Sequence, residues 1–260
     1  MSFDCEGAEL GATLDSAAGR SGLLLATGGS QTRIGSHRMY ERLARSLAER
    51  GISCLRFDRR GVGDSAGEDP GFRGSGPDLA AAAGALRREC PGLERVHGFG
   101  LCDGATAIAL FGGEARLDGL VLVNPWLVEA AADAPPPAAI RHHYRKRLLS
   151  REGWRKMLSG RVDYRKLLNG ILKISGPQTD SPLAGEVASA LARHRLPAEL
   201  ILAGGDATAI AAEKEVKARP FRRLLGEPLR IDSDSHTFAR PGDEAALLEA
   251  VLEAVRRLDR

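Results

Sequence analysis

The sequence predicts an α/β protein, a mostly parallel sheet with helices on both faces, interrupted by one helical insertion. Three observations carry this. Short β-branched or leucine-rich runs alternate with longer amphipathic stretches along the 260 residues, as parallel strands and their crossover helices do. The longest apolar runs, such as 22–26 and 120–123, are strand-sized, whereas a membrane-crossing helix needs roughly 20 apolar residues. The alternation breaks over one segment, 128–195, which reads as Arg- and Lys-rich helices. The chain therefore divides into a core made of 1–127 and 196–260 and an insertion over 128–195, a size that suits one domain with an addition.

The elements follow in order. Residues 3–15 read as an opening antiparallel pair, and 22–29 as a buried strand ending in a glycine turn. Ser36 is placed to cap a helix through 40–50, which Gly51 stops. Strand 52–58 runs into a turn-rich segment, 59–67. A helix over 77–90 leads to strand 95–100, and a tight turn then opens an alanine-rich helix. Further strands are read at 117–125, 198–206 and 228–234, and an amphipathic helix over 243–258 closes the chain. The run 134–139, with three consecutive prolines, is a stiff connector into the insertion.

Composition excludes several classes. A formal charge of +3 is too small an excess to argue for nucleic acid, and no nucleic-acid motif is present. The N-terminus carries no positive leader followed by an apolar stretch. The four cysteines, Cys5, Cys54, Cys90 and Cys102, show no metal-type pairing, so a cytoplasmic protein with reduced thiols is expected. No cofactor or metal is called for.

The segment that carries chemistry is Gly100-Leu101-Cys102-Asp103-Gly104, between a strand and a helix. A nucleophile elbow needs small residues two positions either side of the nucleophile, because larger side chains collide with the adjacent strand and helix. Gly100 and Gly104 meet that need. The turn presents the sulfur near the positive end of the following helix, which favours the thiolate. A thiol nucleophile needs a histidine base and a group that fixes the imidazole. Chain order nucleophile, acid, histidine gives Asp206, in the turn after strand 198–206, and His236, after strand 228–234. Asp206 also reads as a helix N-cap, and His236 as a surface loop histidine. Asp232 and Asp234 lie too close to His236 in sequence to approach its ring from the far side. The oxyanion hole is assigned to the N–H of Asp103 with that of Gly29 or Ser30, where glycine permits close backbone approach.

These residues match a family pattern. Phe57-Asp58-Arg59-Arg60-Gly61-Val62-Gly63-Asp64-Ser65 resembles the D-x-R-G-x-G-x-S turn of α/β-hydrolases, and with the elbow, Asp206 and His236 the resemblance spans nearly the whole chain. It implies the α/β-hydrolase fold and acyl transfer through a covalent intermediate. More narrowly, Gly28-Gly29-Ser30-Gln31, Arg33 to Arg38 and Gly100 to Asp103 resemble the exosortase-A-associated hydrolases of bacterial PEP-CTERM sorting and exopolysaccharide clusters. Dienelactone hydrolases are a related precedent for cysteine at the elbow. Cysteine in place of serine points away from ordinary ester substrates and toward thioesters or activated esters.

The insertion places His142, His143, Arg145, Lys146, Arg147, Arg151, Arg155, Lys156, Arg161, Arg165, Lys166 and Lys173 close together, with apolar residues at helical spacing. It reads either as a lid with a solvated basic face or as a recruiter of an anionic partner, such as a carrier-bound acyl group, an acidic glycan or a membrane surface. Arg33 and His37 are candidates for substrate contact at the active-site mouth. Against the enzyme stands one alternative, a catalytically silent relative that docks an anionic partner through the basic insertion.

Overall fold

The computed structural model describes residues 1–128, 181–217 and 219–260. Among them, eight strands form one sheet in the order β1-β2-β4-β3-β5-β6-β7-β8: β1 (Ser2–Cys5), β2 (Ala8–Asp15), β3 (Ser21–Ala26), β4 (Ser53–Phe57), β5 (Arg95–Leu101), β6 (Gly119–Val123), β7 (Ala198–Ala203) and β8 (Leu229–Ile231). The first two strands pair antiparallel, β2 pairs antiparallel with β4, and every later pairing is parallel. The helices are α1 (Met39–Ala48), α2 (Gly71–Gly74), α3 (Gly76–Glu89), α4 (Asp103–Phe111), α5 (Pro182–His194), α6 (Ala207–Val216), α7 (Arg219–Leu224) and α8 (Asp243–Leu258).

The period of two along each strand decides which face a side chain serves. In β3, Leu23 and Leu25 join one apolar cluster, while Leu24 and Ala26 join the other. In β6, Val121 and Val123 side with the first cluster and Leu120 and Leu122 with the second. The first face is covered by α1 and α8, through Leu43, Leu47, Leu247, Val251 and Val255. The second is covered by α3, α4 and α5, through Leu79, Leu86, Ile108, Leu183 and Val187. With both faces covered, the central strands β3 and β6 carry unbroken apolar runs, and each fully buried leucine contributes about 1.5–3 kcal/mol.

Two expectations change. Ser36 does not cap the first helix. Residues 36–38 form a single 3-10 turn in which His37 (φ 41°) and Arg38 (φ 64°) are both left-handed, so the Ser36 hydroxyl is displaced from the first free N–H groups of α1, which has no side-chain cap. The Ser36 N–H is instead donated to Gln31 Oε1 at 3.2 Å. Within the expected insertion, 182–194 is a core element: α5 buries Leu183, Val187 and Leu191 in the same cluster as α4. The remainder of the proposed basic lid, including His142 and His143, lies outside the described residues. Among the described residues no helix is long and apolar enough to cross a membrane, and no group of His, Cys, Asp or Glu is arranged to hold a metal.

Candidate active site

The C-terminal ends of the parallel strands carry the site, where crossover loops leave side chains free to project. Cys102 sits between β5 and α4 at φ 61° and ψ −127°, a backbone state that costs a non-glycine residue about 1–3 kcal/mol. The surroundings hold it there. Its N–H donates to Val123 O (3.0 Å), while its carbonyl accepts from Trp126 N–H (3.1 Å) and Ala105 N–H (3.1 Å). The flanking glycines are required by space: a Cβ on Gly100 would lie 2.5 Å from Ala105 N and from Gly104 O, and one on Gly104 would lie 2.6 Å from Ala26 O. Because the neighbours of Gly100 are backbone atoms that cannot rotate aside, Gly100→Ala is expected to destabilise the fold by about 3 kcal/mol, the upper end of ordinary overpacking, measurable as a lower midpoint in urea unfolding.

The acid and the histidine reach the same place from β7 and β8. Asp206 ends the turn after β7, is 5% exposed, and uses its two oxygens differently: Oδ2 accepts from Ala209 N–H at 2.9 Å, capping α6, and Oδ1 pairs with His236 Nδ1 at 3.1 Å. Asp206 therefore caps the helix with one oxygen and contacts the histidine ring with the other. Gly205 allows the two loops to close, since a Cβ there would lie 2.7 Å from Asp234 Cβ. With Nδ1–H donated to the carboxylate, Nε2 is the ring nitrogen left to face Cys102. The Asp206 hydrogen bond, and after it the hydrogen bond with Cys102, push the His236 imidazole up to about 10 against its partial burial. Cys102, His236 and Asp206 are thus brought together. Asp232 is exposed, and Asp234 pairs with Arg240 at 3.2 Å, so neither takes the acid's place at the ring.

A family model described as the alpha/beta hydrolase family matches residues 23–254. The chain belongs to the α/β-hydrolase family. Solved structures share its fold at low identity. Est1E from Butyrivibrio proteoclasticus, determined with bound ferulic acid, is 15% identical, with 98% of this chain and 99% of that one covered and a TM-score of 0.63. An esterase from Pyrococcus furiosus is 16% identical, with 100% and 90% covered and a TM-score of 0.66. A dienelactone hydrolase from Anabaena variabilis is 17% identical, with 99% and 95% covered and a TM-score of 0.63. Comparison with curated proteins gives no match.

In this α/β-hydrolase the loop after β3 turns at 28–31, closed by Gln31 N–H to Gly28 O (3.3 Å) and by the Thr27 hydroxyl to Gln31 O (3.0 Å). Gly29 and Ser30 are exposed on it. The Gly29 N–H, assigned from sequence to an oxyanion, is donated here to Asp103 Oδ1 at 2.6 Å. Beneath the loop, the fully buried Tyr40 donates its hydroxyl to Ala26 O (3.1 Å) and packs edge-on against Phe99. Burial, then the neighbouring charges of Cys102 and Asp103, hold that phenol protonated, well above its ordinary range.

Arg33 and His37, the candidates for substrate contact, are engaged within the chain. Arg33 directs all three guanidinium nitrogens into the protein, to Asp58, to Asp64 at 2.7 Å and to Thr13 at 3.2 Å. The buried Asp58 organises the 57–65 motif, also accepting the N–H groups of Arg33 (2.5 Å) and Asp64 (3.2 Å). At His37, Nδ1 lies 3.1 Å from Arg42 Nη2 and Nε2 lies 2.8 Å from Thr237 O. Arginine can only donate, so Nδ1 accepts and Nε2–H donates to the residue next to His236. His37 steadies the histidine loop. Sequence reasoning missed two further residues. Arg59, 6% exposed, donates from Nη2 to Gly29 O at 2.7 Å. Asn124, fully buried at the end of β6, accepts from Ala203 N–H at 2.9 Å and ties β6 to the strand that delivers Asp206. Position at strand ends was their only signal.

Proposed function

We propose that this α/β-hydrolase cleaves thioesters or activated esters through a covalent acyl-enzyme on Cys102. The observation that carries the reading is the His236 ring itself: bonded to Asp206 through Nδ1 at 3.1 Å and raised by Asp206 and then by Cys102, it is a base poised to take the Cys102 proton and leave a thiolate for attack. The thiolate attacks the acyl carbonyl, forming a C–S bond and a tetrahedral oxyanion. The oxyanion collapses, the carbon–heteroatom bond to the leaving group breaks, and the leaving thiol or alcohol takes the proton from His236 Nε2. Neutral His236 then takes a proton from water, which attacks the acyl carbon. The C–S bond breaks, and the acid leaves with the thiolate restored. An acceptor alcohol or thiol in place of water gives acyl transfer by the same steps. No step uses a cofactor. On the resemblance of 28–31, 33–38 and 100–103 we assign the chain to exosortase-A-associated hydrolases acting in the cytoplasm, with a carrier-bound or small acyl substrate.

The other thiols offer an internal control. Cys54 is buried and held protonated, well above the ordinary thiol range; Cys5 is pushed up to about 12 by burial and by Asp78. Brief exposure to p-nitrophenyl acetate, acid quench and peptide mass spectrometry should find acetyl on Cys102 alone, and iodoacetamide at neutral pH should alkylate Cys102 far ahead of Cys54, Cys5 and Cys90. Acetyl elsewhere, or equal alkylation of Cys90 and Cys102, defeats the assignment.

A further inference from the structure

The N–H of Gly29 already has an anion on it. Asp103 begins α4, yet no side chain caps that helix; the Asp103 carboxylate reaches across to the loop after β3 and accepts from Gly29 N–H at 2.6 Å. Its seat is shaped for it. A Cβ on Gly28 would lie 2.6 Å from Asp103 Oδ1 and 3.3 Å from Cys102 Cβ, so a side chain at 28 would expel the carboxylate and crowd the nucleophile. On the far side of the same residue, Arg59 holds Gly29 O at 2.7 Å. Among the described residues Arg59 Nε and Nη1 are buried without partners, and the Arg59 carboxylate contact, Asp69 at 3.3 Å, is partly exposed, a setting in which the buried positive charge favours an anion at Gly29. A charge-assisted bond of this length is of the stronger kind.

We infer that the Asp103 carboxylate is the resting occupant of the oxyanion hole, a rate-setting residue that every substrate carbonyl must displace from the Gly29 N–H. The inference rests on the acyl-transfer reading above. During attack by Cys102 the carbonyl oxygen gains negative charge, and the N–H groups of Gly29 and Asp103 are the donors that would receive it. While the carboxylate stays, one donor is spent and the incoming charge meets another of its own sign. The substrate's binding energy must therefore move the side chain aside, which lowers turnover of small acyl donors that bring little binding energy with them. Asp103 touches the hole and leaves the attacking pair intact, so removing its side chain raises activity where removing Cys102 or His236 ends it.

The test uses the full chain with ¹⁵N-labelled glycine as wild type, Asp103→Asn and Asp103→Ala. Two quantities are read: solvent exchange of the Gly29 amide, and affinity for an aryl trifluoromethyl ketone, which adds reversibly to a thiolate and places an oxyanion in the hole. The wild-type amide should be protected, the asparagine variant intermediate because its amide oxygen still accepts, and the alanine variant fast. Ketone affinity should rise in the same order, by about 10- to 100-fold for Asp103→Ala, the range expected for one hydrogen bond to a charged group. Equal Gly29 exchange in all three proteins overturns the inference, as does a ketone that binds Asp103→Ala no better than wild type. A ketone that binds Cys102→Ala as well as wild type sinks the acyl-transfer reading instead, and Gly29 exchange then decides the place of the carboxylate by itself.

Discussion

Cys102→Ala should abolish turnover of p-nitrophenyl esters and acyl thioesters, a loss of about 10⁴–10⁶-fold by analogy with removal of a nucleophile from other triads, while the unfolding midpoint stays near that of the wild type. Cys102→Ser separates two mechanisms that this loss alone would not. On the proposed mechanism the reactive state with sulfur at 102 pairs a thiolate with the imidazolium of His236, held up to about 10, and the proton on the ring is needed by the leaving group. Activity should therefore fall as pH rises through about 10, as the imidazolium deprotonates. With serine, whose hydroxyl stays protonated, the neutral imidazole must act as base. Activity should then be low at neutral pH and climb as the ring loses its proton, at a lower pH than in the parent because the sulfur's support is gone. Profiles with the same sign of slope on the alkaline side would rule out the ion pair, and an active Cys102→Ala would rule out the nucleophile.

What could be read from sequence is what local geometry forces. Gly100 and Gly104 announce an elbow because backbone atoms within 2.6 Å of their Cβ positions leave no alternative. Asp206 and His236 stand out because each follows the C-terminal end of a parallel strand. The parallel sheet was legible for the same reason, since a chain buried on both faces has few polar positions to confuse the pattern. Arg33 and His37 show the limit. A charged side chain beside a catalytic loop looks the same in sequence whether it meets a substrate or a carboxylate of its own chain, and here Asp58, Asp64 and Thr237 claim them. Arg59, Asn124 and the Asp103 carboxylate were invisible because their partners, Gly29 O, Ala203 N–H and Gly29 N–H, are backbone groups from distant segments. Helix α5 falls within the expected insertion because 128–195 breaks the strand–helix alternation and reads as Arg- and Lys-rich helices; only packing reveals that Leu183 and Val187 belong to the core.

Asp206→Asn and Asp206→Ala should be equally inactive but unequally stable, because the two oxygens of this residue do separate work. Oδ1 holds the His236 Nδ1 proton and is the largest cause of the raised imidazole; Oδ2 caps α6 through Ala209 N–H. Asparagine keeps a good cap and loses the charge that holds the ring, so turnover should fall by about 10³–10⁴-fold and His236 should return toward its ordinary range, near 6.5. Alanine loses the cap as well, about 1 kcal/mol of stability. The sign of the pH dependence follows from the direction of the shift. A histidine raised to about 10 in the folded state favours folding fully below the unfolded value, near 6.5, and that contribution drains away as pH rises through about 10. Urea unfolding of the wild type between pH 6 and pH 10 should therefore include a declining contribution that is nearly absent in Asp206→Asn, and ring-proton titration by NMR should place the variant's His236 well below the parent's. A variant ring that still titrates with the parent's would mean the carboxylate does not govern His236, and Asp206 would then be only the cap of a helix.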